Sequence, residues 1–260
     1  MIRVTILASG SSGNAAIVRA GATTVLVDAG LSARKIETAL AACAIDPASL
    51  AGILLTHEHT DHTRGLKVLC PKHRIPVFAN PMTAESLRRG GLEAEWKLFQ
   101  SGSRFELGDL SVNPFSVPHD AADPVGFVLA CGNSSFGVLT DLGYATRQIT
   151  NAVQGVSALL VESNHDESLL QNDTKRPWSV KQRILSRHGH LSNQAAAELV
   201  ASAASPALRH VALAHLSEDC NTPELARTAV VEKLHAAGHP HPQIHCPGTP
   251  ESPLPLHLEI

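Results

Sequence analysis

The sequence predicts an α/β protein in which two β-sheets pack together with helices outside. Three observations carry this expectation. The chain reads as two stretches, each strand-rich at first and helical afterwards. Layers with one apolar face need a partner, and two such halves can cover one another. Residues suited to metal binding fall just past the ends of short apolar runs, as they would along one rim of a sheet. No clear linker divides the 260 residues, so 1–260 is expected to form a single domain.

The elements follow in order. Ile2 to Ala8 reads as a buried strand, broken by the turn cluster Ser9 to Asn14. Ala15 to Arg19 and Thr23 to Asp28 form a hairpin about Gly21. Ser32 is the N-cap of a helix running to about Cys43. Gly52 to Thr56 is a strand, Asp61 to His73 a helix, Pro76 to Ala79 a strand, and Pro81 to Arg89 a helix with Pro in its first turn. From Trp96 to Leu139 the pattern is short strands. Phe105 to Leu107 and Leu110 to Val117 flank Gly108–Asp109, and Val125 to Ala130 and Ser135 to Leu139 flank Cys131 to Ser134. Then come a strand at Ala158 to Val161, helices at Asp166 to Gln171, Ser179 to Arg187 and Asn193 to Ala204, a strand at His210 to Ala214, and a helix at Pro223 to Ala237. The Pro- and His-rich tail from Gly238 is expected to be irregular.

Composition narrows the function. The net charge of −3 argues against a globally basic nucleic-acid binder. Five scattered Cys, with no C-x-x-C pair, argue against a disulfide framework and for a reducing, cytoplasmic setting. The opening apolar run is too short for a secretory leader, and no run reaches the length of a membrane span. His, with 15 copies, is the outlier and directs attention to metal.

The strongest local signal is His57-Glu58-His59-Thr60-Asp61-His62. A tight loop after a strand can aim these side chains at one point. The spacing is not H-E-x-x-H, because position 61 is Asp. Two imidazoles beside a carboxylate–imidazole pair suit two adjacent cations better than one tetrahedral ion. His119, Asp141 and His215 each lie just past a strand-like run and could complete such a site. The plain alternative for each of these three is a structural or capping residue.

In that order, H-x-H-x-D-H, a His, an Asp in T-D-L-G, and a His after a strand resemble the metallo-β-lactamase superfamily. The resemblance implies a four-layer αββα sandwich with a dimetal site on its rim. It implies His57, His59 and His119 on one metal, Asp61, His62 and His215 on the other, and Asp141 between them. An Asp rather than a Cys at the bridging place is similar to the phosphodiesterase and thioesterase branches. The opening L-A-S-G-S-S-G-N, with S-N-H-D at Ser163 to Asp166 and G-H-L-S-N at Gly189 to Asn193, looks like the YycJ/WalJ group. That group is associated with 5′-to-3′ exonuclease activity on DNA. The chain has neither the large inserted domain of the cleavage-and-polyadenylation nucleases nor an evident arm like that of RNase Z. A tRNA-processing role is therefore not expected.

Around this core the expectations are chemical. Two divalent ions, zinc or manganese, suit five His and two Asp. Asp61 is the candidate carboxylate that orients the attacking water. His190, polarised by Glu162, is the candidate proton donor to the leaving oxygen. The plainer alternatives are a buried ion-pair partner for Glu162 and a helix-capping neighbour for His190. His165 and Asp166 are further rim candidates. Ser11, Ser12 and Asn14 lie in a turn that could take phosphate oxygens or merely join two strands. Lys175, Arg176, Lys181, Arg183 and Arg187, with Trp178 among them, form a basic strip fit for a nucleic-acid backbone or a solvated helix face. The leading expectation is a dimetal phosphodiesterase that degrades DNA from its end. A thioester or lactone hydrolase and an RNA-processing nuclease stay open, as does a non-enzymatic metal module. The oligomeric state is not legible.

Overall fold

Along the strands, neighbouring residues go to different cores, and this alternation builds the layers. The computed structural model describes residues Met1–Ile260. Its first sheet contains β1 (Ile2–Ala8), β2 (Ala15–Ala20), β3 (Thr23–Val27), β4 (Gly52–Leu54), β5 (Val77–Ala79) and β6 (Trp96–Leu98). The second contains β7 (Phe105–Leu107), β8 (Leu110–Ser116), β9 (Val125–Cys131), β10 (Ser134–Leu139), β11 (Ala158–Glu162), β12 (His210–Ala214) and β13 (Gln243–His245). A last strand, β14 (Leu256–Glu259), returns to the first sheet beside β1.

Val25, Val27, Phe136, Val138, Ala158, Leu160 and Ala212 point between the sheets into one core. Their neighbours Leu26, Ile53 and Val77 point outward, under α1 (Ala33–Ala42), the short α2 (Thr60–Thr63), α3 (Leu66–His73) and α4 (Pro81–Arg89). On the other side Leu159, Val161, Val211 and Leu213 meet α5 (Arg147–Val153), α8 (Asn193–Ala203) and α9 (Pro223–Ala236), while α6 (Glu167–Asn172) and α7 (Trp178–Ile184) form an excursion between β11 and α8. Each fully buried aliphatic or aromatic side chain contributes roughly 1.5–3 kcal/mol. The layers are therefore α, β, β, α, as the sequence predicts.

Two expectations change. The helix expected over Asp61 to His73 is two helices, broken at Arg64–Gly65. Gly65 donates to the Ala29 carbonyl at 2.8 Å, and a Cβ there would lie 2.6 Å from the Leu31 carbonyl. That close approach requires glycine at the junction, where the backbone stays right-handed helical from one helix to the next. The tail from Gly238 is not irregular throughout: β13 lies parallel beside β12, and β14 lies antiparallel beside β1. Leu258 and Ile260 reach the inter-sheet core, and the Ile260 amide closes onto the Ile2 carbonyl at 2.9 Å. The alternation Leu256, Leu258, Ile260 was the available signal, outweighed by the surrounding Pro and His.

Strand direction then collects the site. β3 and β4 are parallel, and β1 runs with β3 because both oppose β2. β10, β11 and β12 are parallel, and β8 runs with β10 because both oppose β9. The loops that follow these strands therefore leave on one edge of each sheet. A bond from the His215 amide to Ser9 Oγ, 3.0 Å, joins the two edges.

Candidate metal centre

The residues just past β3, β8, β10, β11 and β12 supply Asp28, His119, Asp141, the buried Glu162 at the end of its strand, and His215. The loop after β4 supplies His57 to His62. Asp28, Asp141 and His215 all take left-handed backbone, with φ of 57°, 55° and 57°. Non-glycine residues hold that conformation where the surrounding structure enforces it, and such positions gather at functional sites. Here each one turns the chain sharply at a strand end and presents its side chain to the rim.

The donors converge in overlapping sets. His57, His59 and His119 form one, with His57 Nε2 only 3.1 Å from His59 Nδ1. His57, His62 and Asp141 form a second, and Asp141, Glu162, His190 and His215 a third. Asp141 belongs to both of the latter: Oδ2 lies 3.0 Å from His62 Nε2, and Oδ1 lies 3.2 Å from His215 Nδ1. Asp61 stands at the edge of this arrangement, with Oδ2 3.5 Å from His62 Nε2. His215 thus meets Asp61 and His62 through Asp141 rather than directly.

These atoms fit divalent cations. His119 Nε2 and Asp141 Oδ2 are buried without a hydrogen-bond partner. A buried polar atom left so costs about 1–3 kcal/mol, and imidazole nitrogens crowded against carboxylate oxygens are a donor set for such ions. The approach of His62 to Asp141 Oδ2 is close but does not satisfy that oxygen.

Charge and burial compete at every group. Burial, aided by the charge on His62, holds His57 well below the ordinary imidazole value, and burial lowers His119 as well. Lowered values favour the neutral imidazole, the form in which histidine ligates a metal. Burial also opposes charge on His62, but Asp28 and Asp141 outweigh it and raise that imidazole well above its ordinary value. The same contest at His215 is won by Asp141 and Glu162. Burial raises Asp141, yet His215 and His62 hold it well below the usual carboxylate range.

Outside the donors, Asp28 is the residue the sequence reading missed. Its Oδ2 lies 2.8 Å from His62 Nδ1, while Oδ1 accepts from the Thr56 amide at 2.9 Å. The signal was present, because Asp28 follows a buried strand just as Asp141 does. Asn14, expected to face phosphate, is buried instead. Its Nδ2 lies 3.2 Å from Asp61 Oδ2 and 3.0 Å from His62 Nε2, and its side chain closes the Gly10 turn. Gly30 must be glycine here, since a Cβ would collide with the Asp61 carbonyl.

Glu162 and His190 do meet. His190 Nδ1 lies 2.6 Å from Glu162 Oε1, which is also 2.9 Å from His215 Nδ1. The other oxygen, Oε2, accepts from the Leu142 and Leu191 amides. Against its burial, His190 and His215 hold the Glu162 carboxyl down to about 2. His190 is in turn raised, because Glu162 outweighs the cost of burial. Ser11 Oγ lies 3.3 Å from His215 Nε2. Ser11 and Ser12 open onto a cavity of about 480 Å³ that also reaches Asn164, Arg176 and His190.

Other candidates go elsewhere. Asp166 caps α6 by accepting from the Leu169 amide. His165 is buried, with both ring nitrogens unpartnered, and joins none of the donor sets. The basic strip is largely answered within the chain. Lys175 pairs with Asp219 at 2.5 Å, Arg176 with Asp173 at 2.8 Å and Asp219 at 3.0 Å, and Arg183 with Asp120 at 3.3 Å. Lys181 is buried and donates to the Gln171 carbonyl. Trp178 is exposed. No helix is long and apolar enough to cross a membrane.

Comparison with known proteins agrees with this geometry. A family model described as a beta-lactamase superfamily domain matches residues 23–215. The chain is 38% identical over 240 residues to the exodeoxyribonuclease YycJ of Bacillus anthracis, covering 91% of this chain and 90% of that one. It is 37% identical over 240 residues to the exodeoxyribonuclease WalJ of Streptococcus pneumoniae, covering 90% and 89%. In fold it is similar to the metallo-beta-lactamase fold protein YhfI of Bacillus subtilis, with a TM-score of 0.74 at 13% identity over the whole of both chains. The match from Thr23 to His215 takes in Asp28 and all the candidate metal ligands, and places this chain in the metallo-β-lactamase superfamily, within its YycJ/WalJ group.

Proposed function

We propose that the protein is a dimetal phosphodiesterase that degrades DNA exonucleolytically, in the 5′-to-3′ direction. His57, His59 and His119 would hold one divalent ion and Asp61, His62 and His215 the other, with Asp141 within reach of both His62 and His215. Zinc and manganese both suit this set of imidazole and carboxylate donors. Such ions supply Lewis acidity toward a phosphoryl oxygen and make water a better nucleophile at neutral pH.

The observation that carries the reading is the Glu162–His190 pair, at 2.6 Å, on the edge of the Asp141 donors. A nucleoside oxygen is a poor leaving group until it is protonated, whereas a thiolate leaves without help. An imidazole kept charged by a buried carboxylate serves the first reaction and is superfluous in the second. His190 would give the proton on Nε2 to the departing oxygen, while Glu162, bonded to Nδ1, keeps the ring charged beforehand. Asp61, tethered by Asn14 at 3.2 Å, orients the attacking water. Ser11 and Ser12, at the mouth of the adjoining cavity, offer hydroxyls and exposed backbone to the substrate phosphate. The names carried by the relatives from Bacillus anthracis and Streptococcus pneumoniae support DNA as the polymer.

The test is digestion of DNA labelled at its 5′ end and, separately, at its 3′ end, with zinc- or manganese-loaded protein. Early release of a labelled mononucleotide from the 5′ end supports the reading. Folded, metal-loaded protein that leaves both substrates at full length overturns it.

A further inference from the structure

Of the cavities around the metal centre, two differ in charge. The one beside His190 is lined by Arg176, Glu218 and Asp219 as well as by serines, and its Arg176 is already held by Asp173 and Asp219. It holds no free cation to meet a chain of phosphates. The other, about 420 Å³, begins at the metal motif itself, where Glu58 and Thr60 are on its wall. It runs between the α2–α3 segment and the C-terminal turn of α4.

Along one wall stand Thr60, Thr63, Arg64 and Lys67. Their spacing of three, four and seven puts them on one face of a helical run, and α2 continues into α3 with only the Arg64–Gly65 break. Arg64 and Lys67 are exposed and have no carboxylate partner. Arg64 donates to the Ser12 carbonyl at 3.1 Å and Lys67 to the Gly90 carbonyl at 3.3 Å, which leaves both charges unneutralised. The one acid on the wall, Glu58, accepts from the Ala122 amide through Oε1, and its Oε2 is buried. The groove therefore carries two open cations against one inward-turned carboxylate. The α6–α7 strip that dominates the sequence has its Lys175, Arg176 and Arg183 in ion pairs.

We infer that the polynucleotide backbone leaves the metal centre along this groove, with successive phosphates meeting Arg64 and Lys67. The occupant is a single strand of nucleic acid, recognised through its phosphates rather than its bases, because the wall offers charges and hydroxyls and no aromatic platform. This rests on the phosphodiesterase reading above and adds to it the path of the substrate. Each phosphate neutralised by a protein cation releases condensed counterions, so each contact steepens the fall of affinity with salt.

The experiment measures binding of a single-stranded oligonucleotide to the metal-loaded protein across a salt series, for wild type, Lys67→Gln and the Arg64→Gln/Lys67→Gln double variant. Metal content is measured on each preparation. The expected result is a log–log salt slope shallower by about 0.7 per cation removed, with affinity at moderate salt lower by several-fold for the single variant and about tenfold or more for the double. A wild-type slope and affinity in both variants overturns the groove. Lys67 touches neither the metal motif nor the Ser12 turn, so the single variant decides the matter even where Arg64→Gln disturbs that turn. A wild type that neither binds nor shortens DNA overturns the phosphodiesterase reading instead, and the two failures are thus distinguishable.

Discussion

Asp28 Oδ2 lies 2.8 Å from His62 Nδ1, with both side chains buried, and so fixes which nitrogen of His62 faces Asp141. A carboxylate behind a ligating imidazole sets its orientation and raises its basicity, and losing one weakens metal binding about 10- to 100-fold. Asp28→Asn should produce a loss of that size, read by competition with a chromophoric chelator. Asn tolerates the left-handed backbone that Asp28 adopts, so the fold should survive. Unchanged metal affinity in a folded Asp28→Asn variant would show that His62 needs no such support.

The metal-free protein should be most stable near the ordinary imidazole value of 6.5. His57 and His119 have lowered values in the fold. Below about 6.5 the unfolded chain takes up protons that they refuse, and stability falls with falling pH. His62 and His215 have raised values in the fold. Their contribution is complete below about 6.5 and is lost as pH rises through the folded values. Bound metal displaces protons from these same imidazoles, so loaded protein should gain stability with pH over the range where metal-free protein loses it. Thermal unfolding of both forms from pH 5 to 9 checks this, and parallel profiles would refute it.

His190→Gln should lower DNA turnover by roughly a hundredfold to ten-thousandfold, the usual worth of a general acid. A phosphodiester with a p-nitrophenolate leaving group needs no proton and should lose far less. An equal loss on both substrates would make His190 a structural partner of Glu162 and not a proton donor.

Gly30→Ala should destabilise the protein by roughly 1–3 kcal/mol, the range for forcing extra atoms into a packed site. The added methyl would meet the Asp61 carbonyl and the Asn14 amide. Because those groups carry the loop that positions Asp61, the variant should also bind less metal. Differential scanning calorimetry with metal analysis tests both effects, and a wild-type melting temperature would contradict the close packing.

Much of the site was legible because four of its candidate ligands fall within six consecutive residues. A ligand cluster spanning His57 to His62 needs no tertiary information to be noticed. His119, Asp141 and His215 were found by one rule, a polar residue immediately after a buried strand, and Asp28 obeys the same rule but was passed over. Asn14 was visible as a turn residue, yet the direction of its side chain was not. That direction depends on Asp61, 47 positions away.

The sequence alone determined the layers and nominated the candidate donors. Alternating apolar residues assign each strand two cores, and a short motif carries its own ligand chemistry. Only the tertiary structure decided which charges are free. Lys175 finds Asp219, 44 residues distant, and its exposed charge is answered. Glu162 reaches His190 across 28 residues and becomes part of a proton-holding pair. Arg64 and Lys67, inconspicuous in the sequence, stand beside the metal centre with no carboxylate paired to either. An electrostatic interaction depends on distance in space and on solvent access, and neither can be read from position along the chain.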